Sequence, residues 1–147
     1  MGVAPMDAAI EYGNRQLSIT LPDSAEVLRM RHEAPLADPA VTIEQALSEP
    51  LGAATLREQV RSLTRTGVPL SELKVAITIS DHTRPVPYAA DRPDGVLMPL
   101  LRRLRATGVS QQNITIIVGT GTHVPTSASW KMQALGAEIA EHYRVVD

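Results

Sequence analysis

The chain has 147 residues, a formal net charge of −2 and neither cysteine nor phenylalanine. That balance provides no electrostatic footprint for nucleic acid, and the absence of cysteine removes disulfides, thiolate nucleophiles and Cys-ligated metals. Hydrophobic residues make up 44% and charged residues 20%, as in an ordinary globular domain whose core is built from Leu, Val, Ile, Ala and Met. No apolar run reaches the roughly 18 residues that a membrane span requires. The opening MGVAPMDAAIEYG has neither the basic start nor the apolar stretch of a secretion signal. The expectation is a cytoplasmic protein with no membrane or nucleic-acid partner.

Residues 8–21 read as two short strands around Gly13-Asn14, a hairpin turn whose central residues both tolerate positive φ. Leu17, Ile19 and Leu21 alternate with Ser18 and Thr20, as in a strand with one buried face. Ala25–Met30 fits either a third strand or a short helix, and residues 31–39 read as a surface connection. Thr42-Ile43-Glu44-Gln45 has the spacing of a capping box and predicts a short helix to Ser48, broken by Pro50 and Gly52. A second box, Thr55-Leu56-Arg57-Glu58, opens a better helix with Leu56, Val60 and Leu63 on one face. Arg57, Arg61 and Arg65 then face water, and Gly67 stops the helix.

Lys74–Pro87, KVAITISDHTRPVP, changes character half-way. Val75–Ile79 is a β-branched run suited to a buried strand, whereas Asp81, His82, Thr83 and Arg84 crowd together ahead of Pro85 and Pro87. The prolines predict a stiff, extended loop holding Arg84 and Val86, with His82 turned to the side opposite Asp81. Tyr88–Gly95 reads as a polar loop. Pro99 falls in the first turn of a helix that runs to Thr107, with Leu97, Leu100, Leu101 and Leu104 as its buried stripe. Arg102, Arg103 and Arg105 lie off that stripe, and Gly108 ends the helix. Ile114–Val118 is a second buried strand and also finishes in a polar, glycine-rich loop, GTGTHVP over Gly119–Pro125. Ser127 caps a last helix carrying Trp130, Leu135 and Ile139, and Tyr143–Asp147 reads as a strand just beginning.

Strand, loop and helix thus occur twice in succession. A βαβ unit places its strands parallel, so both loops fall on one sheet edge, where open α/β sheets bind ligands. The predicted fold is α/β: a Rossmann-like parallel (mixed) sheet with flanking helices, preceded by an N-terminal β-hairpin. Residues 1–40 form the hairpin and extension, and 41–147 the α/β core.

The topology lets Asp81, Arg84 and His123 converge. His123 is placed as a general acid/base, or is merely structural, and Asp81 could orient it. Arg84 offers a bidentate fork for a carboxylate or phosphate, or a structural salt bridge to Asp81. Gly119 and Gly121 allow backbone to approach a ligand. The loop lacks a Walker lysine and the third glycine of a dinucleotide fingerprint. His32 and His142 read as exposed, and no histidine pair has metal-ligand spacing.

SDHTRPVP after one buried strand and GTGTHVPTS after the next resemble the N-terminal part of the lactate racemase family. LPD near residue 22 and ALSEPLGAATL over residues 46–56 extend the resemblance along most of the chain. The resemblance implies an isomerase that racemises or epimerises a small 2-hydroxy acid through hydride transfer, using a nickel-pincer nucleotide cofactor. It implies that His123, Asp81 and Arg84 are catalytic, that Arg84 and Thr83 bind substrate, and that Asp81, Gly121 and Thr122 contact the cofactor. The sequence departs from the family at Val124, where arginine is common, and at Ser129 and Trp130, where an acidic residue is common. The lysine that attaches the cofactor, the nickel-ligating histidine and a second catalytic histidine are expected in a C-terminal portion beyond Asp147. The chain is therefore expected to be an inactive N-terminal fragment of such an enzyme, partnered by the missing portion or self-associating through an open sheet edge. The alternatives are a small anion- or nucleotide-binding α/β module without catalysis, and an interaction domain.

Overall fold

A computed structural model describes residues 6–84 and 86–147; the first five residues of the expected extension, and the bracing expected of Pro85, lie outside the described residues. The chain divides between Pro35 and Leu36 into two compact units.

The first unit carries an antiparallel hairpin of β1 (Met6–Tyr12) and β2 (Arg15–Leu21). Tyr12 pairs with Arg15, leaving a two-residue turn at Gly13-Asn14. Only Gly13 takes positive φ, at 60°, the arrangement of a turn that demands glycine at its first central position alone. Directly opposed residues share a face, so Met6, Ala8, Ile10 and Tyr12 lie on the same side as Leu17, Ile19 and Leu21. The other face is polar, and there the Thr20 hydroxyl donates to Asp7 at 2.7 Å. Ala25–Met30 forms neither strand nor helix. Leu28 and Met30 are almost wholly exposed, so this segment gains no burial to offset the entropy of ordering it.

The second unit contains α1 (Pro39–Ser48), α2 (Leu56–Arg65), β3 (Val75–Ile79), α3 (Leu97–Ala106), β4 (Ile114–Val118), α4 (Ala128–Leu135), α5 (Ala137–His142) and β5 (Arg144–Val146). Its sheet has the order β3-β4-β5, parallel throughout, so the chain is a mixed α/β structure with a hairpin ahead of a parallel sheet flanked by helices. The core joins Leu97, Met98, Leu101 and Leu104 of α3 to Ile114, Ile116 and Val118 of β4, Leu135 of α4 and Ile139 of α5. Branched aliphatic residues at alternate positions of β4 fill the space that aromatic rings occupy in other cores.

The ends of the helices explain where the sequence patterns succeed and fail. Thr55 and Glu58 form the expected reciprocal capping box: the Thr55 side chain accepts from the Glu58 N–H, and the Glu58 carboxylate accepts from the Thr55 N–H at 2.9 Å. Gly67 follows at φ 99°. Leu63 stays about half exposed, however, and only Val60 of that stripe is buried. The first box does not act as one. Asp38 caps α1 a turn earlier, accepting from the Val41 N–H at 3.0 Å, and Pro39 takes the first helical position. An aspartate followed by proline is a stronger start signal than a threonine already inside the helix. Glu44 binds Arg103 of α3 at 2.7 Å, and Arg103 also donates to the Ser48 hydroxyl at 2.6 Å. An arginine lying off the buried stripe of α3 thus ties α1 to α3.

The single helix expected after Ser127 is two. Ser127 caps it as expected, accepting from the Trp130 N–H at 3.1 Å, but Gly136 at φ 79° separates α4 from α5. A Cβ on Gly136 would lie 3.3 Å from the Ala90 backbone nitrogen, and Ala90 donates its N–H to the Leu135 carbonyl. The helix breaks where the loop after β3 comes in. Among the described residues no helix is long and apolar enough to cross a membrane.

Leu101 is wholly buried whereas Leu51 is almost wholly exposed. Leu101→Ala is expected to lower unfolding free energy by about 2–5 kcal/mol in urea titrations, and Leu51→Ala to change it by less than about 0.5 kcal/mol. Equal losses would contradict this core.

Candidate active site at the carboxyl edge of the sheet

Strand register positions the site. Ile79 pairs with Val118, so the loops leaving β3 and β4 start side by side. The Gly119 N–H donates to the Ile79 carbonyl at 2.8 Å, carrying the ladder one step beyond the strands. A Cβ at Gly119 would meet that carbonyl at 3.4 Å, an ordinary van der Waals contact.

The first loop turns rather than extends. The Arg84 N–H donates to the Asp81 carbonyl at 3.3 Å, so Asp81–Arg84 closes a turn where extended backbone was expected at Arg84. The Asp81 carboxylate causes this, because its Oδ1 accepts from both the Thr83 N–H (3.0 Å) and the Thr83 hydroxyl (2.6 Å). Aspartate commonly folds backbone over itself in this way. The second loop is a turn as well: the His123 N–H donates to the Thr120 carbonyl at 2.9 Å, with Gly121 at φ 57° between them.

These turns meet at one contact. His123 Nδ1 lies 2.5 Å from Asp81 Oδ2, joining residues 42 apart in the chain. Asp81 is only 3% exposed and is the one buried charged side chain among the described residues. The Thr83 hydroxyl, then His123, then the Thr83 N–H hold its carboxyl well below the ordinary value of 3.8, against the opposing effect of burial. An ionised carboxylate only accepts hydrogen bonds, so the proton of His123 sits on Nδ1 and Nε2 is left for a ligand. The imidazole is half exposed and therefore reachable.

His82 does not point away. Because the backbone turns, its Nδ1 comes within 3.9 Å of the same Asp81 oxygen, and its ring centroid lies 6.2 Å from that of His123. Arg84 is exposed, and among the described residues its guanidinium makes no ion pair with Asp81 or any other carboxylate. Its fork is open to a ligand. Asp81, Thr83, Arg84, Gly121, Thr122 and His123 all line one cavity of about 410 Å³. The Thr83 hydroxyl is already donated to Asp81, which leaves it acceptor capacity only. His32 and His142 are exposed as expected. Among the described residues no set of three His, Asp or Glu is placed to hold a metal ion.

Tyr88 was hidden in a stretch that reads as polar. It is buried, and its hydroxyl accepts from the Ser80 N–H at 2.9 Å, propping the base of the first loop. Its being the lone aromatic between β3 and α3 was the available signal.

A dyad at a sheet edge is common to many chemistries, and comparison with known proteins narrows the choice. The lactate racemase N-terminal domain profile matches residues 12–147. The chain belongs to this family. The lactate racemase of Lactiplantibacillus plantarum is 32% identical over 106 residues, covering 71% of this chain and 21% of its own length. That of Thermoanaerobacterium thermosaccharolyticum is 25% identical over 142 residues, covering 93% of this chain and 30% of its own. The lactate racemase apoprotein structure from Thermoanaerobacterium thermosaccharolyticum matches with a TM-score of 0.63 at 24% identity, over 96% of this chain and 30% of that one, and shares the fold. This lactate racemase N-terminal domain spans 21–30% of the length of the curated relatives it matches.

The depressed pKa of Asp81 ties stability to pH. Folded protein binds fewer protons at Asp81 than unfolded protein does, so its contribution is complete above the ordinary value of 3.8 and is lost as pH falls below it towards the lowered one. Asp81→Asn is expected to reduce stability at neutral pH and to flatten the acid limb of a stability–pH curve followed by circular dichroism. An unchanged acid limb would remove Asp81 as its source.

Proposed function

We propose that this domain is the substrate-binding side of a 2-hydroxy acid racemase, with the Asp81–His123 pair as its acid/base group. The observation that carries the reading is the 2.5 Å contact between the two loops, beside an open Arg84 fork in the same cavity. Arg84 binds the substrate carboxylate through two parallel N–H bonds. His123 Nε2 removes the proton of the C2 hydroxyl as general base and returns it as general acid. Asp81 keeps Nδ1 protonated and steadies the positive charge that His123 gains, so it orients the base without exchanging a proton. Thr83 fixes the Asp81 carboxylate and presents its hydroxyl oxygen to the cavity.

The residues also fit the cofactor that the resemblance implies, as a wall and not as an anchor. Gly121 is open on its outer side, where a Cβ would meet nothing within 4 Å, so a flat nucleotide can approach the backbone at Gly121 and Thr122. Asp81 faces the same cavity. When bound, a nickel-pincer nucleotide supplies the acceptor and donor of the C2 hydride. This chain's share is to hold the carboxylate, move the hydroxyl proton and keep C2 in register while its geometry is planar. The matches cover only 21–30% of the relatives' length, which leaves a C-terminal portion to supply the attaching and metal-binding groups that the resemblance implies.

A chimaera tests the proposal. This chain replaces the matching region of the Lactiplantibacillus plantarum lactate racemase, and loss of optical rotation from a single enantiomer of a 2-hydroxy acid is followed. The chimaera is expected to racemise it, and His123→Ala is expected to abolish turnover while substrate still binds. Arg84→Lys, which loses the fork, is expected to weaken substrate binding by roughly 1.5–3 kcal/mol. Undiminished turnover in His123→Ala, or undiminished affinity in Arg84→Lys, would remove those residues from the mechanism.

A further inference from the structure

A second cavity, of about 290 Å³, lies against Asp81 and His82 and has no part in the chemistry above. Val86, Pro87, Tyr88, Ala89, Trp130 and Ala134 supply most of its wall. Its one cation is already matched, because Arg92 Nε and Nη2 each donate to the Asp94 carboxylate at 2.8 Å. The Tyr88 hydroxyl oxygen accepts from the Ser80 N–H. What remains is not an anion site. It is a slot lined by Trp130, Pro87 and aliphatic side chains, with Gln133 as a polar contact.

The size of the slot decides between occupants. Lactate carries a methyl group, which would leave most of this volume empty, whereas an apolar cavity of roughly 150 Å³ accepts a benzene ring. Aromatic rings gain further from offset or edge-to-face contact with tryptophan. The two cavities also adjoin at Asp81. Asp81 lines both, His82 lines one and His123 the other, and the two imidazole centroids are 6.2 Å apart.

We infer that the acid handled at the Asp81–His123 site carries an aromatic side chain, and that its ring lies in this second cavity against Trp130. This rests on the 2-hydroxy acid reading and names the substrate class within it. Arg84 holds the carboxylate, His123 faces the C2 hydroxyl, and the side chain passes His82 into the slot.

Trp130 is the one tryptophan in the chain, so its emission reports on this cavity alone. The chain is titrated with phenyllactate, 2-hydroxyisocaproate and lactate while tryptophan fluorescence and the His123 ring signals in NMR are followed together. Phenyllactate is expected to shift both signals with one midpoint, at a Kd roughly tenfold below that of lactate. Trp130→Leu is expected to erase that preference while lactate still moves His123. Should that variant fail to fold, Ala134→Leu, which fills the same slot, is expected to erase it too. Equal affinities for phenyllactate and lactate, with His123 responding and Trp130 silent, would overturn the inference and leave the 2-hydroxy acid reading standing. So would 2-hydroxyisocaproate binding as tightly as phenyllactate. A Trp130 response with His123 silent would overturn the inference by showing a ring site unconnected to the dyad. Failure of all three acids to bind would overturn the 2-hydroxy acid reading itself, and the inference with it.

Discussion

A carboxylate removed from water must find its full complement of donors in the protein, and Asp81 finds them in two places at once. One oxygen is taken by the Thr83 amide and hydroxyl, which bends the first loop into a turn. The other is taken by His123, which arrives from a loop 42 residues further along. Each turn is closed by its own backbone bond, and the carboxylate joins the two. If the second loop withdrew, a buried charge would lose a donor. If the first straightened, both Thr83 donors would leave Oδ1. The pairing therefore fixes the imidazole, its tautomer and the turn that presents Arg84.

The remainder of the α/β unit supplies the rigidity on which that pairing relies. Parallel register between β3 and β4 sets the distance between the loops, and the buried residues of β4 and α3 set the register. Below the first loop, the Tyr88 hydroxyl holds the Ser80 amide, and the Val96 N–H donates to the Pro87 carbonyl at 2.9 Å. Ala90 bonds to the end of α4, where Gly136 leaves just enough room for it. The segment from β3 to α3 is thus tied down at several points, which is how a site built on turns keeps its geometry.

Those features were unequally legible in the sequence. The strands and the positions of both loops could be read directly, because β-branched runs ending in SDHTRP and GTGTHVP leave few alternatives to a parallel pair with a polar edge. The convergence of Asp81, Arg84 and His123 followed from topology alone. What could not be read were contacts set by tertiary geometry. His82 shares Asp81 with His123 only because Thr83 bends the backbone. Arg103 reaches Glu44 only because α1 packs on α3, and Gly136 breaks a helix because a loop passes beside it. In the first unit, AEVLRM has strand-like composition and no strand to join. The start of α1 was misplaced by a turn because two capping signals overlapped, and the aspartate with its proline prevailed. Tyr88 and Trp130 were missed as cavity walls because the segments around them carry no periodic pattern.

The parallel register has one more consequence, for what this fold can absorb over time. The dyad's spacing is set by two adjacent strands and not by the length of chain between them. Insertions or deletions in the connection from Val86 to Gln112 can be accommodated so long as α3 still covers the sheet and the ties at Pro87, Tyr88 and Ala90 are kept. A single residue gained or lost within Val75–Ile79 or Ile114–Val118 is a different matter, since side chains alternate between faces along a strand. It would send one partner of the pair to the far side of the sheet. Ten residues of strand thus bear nearly all of the length constraint, and the intervening segment is where variation in size can accumulate.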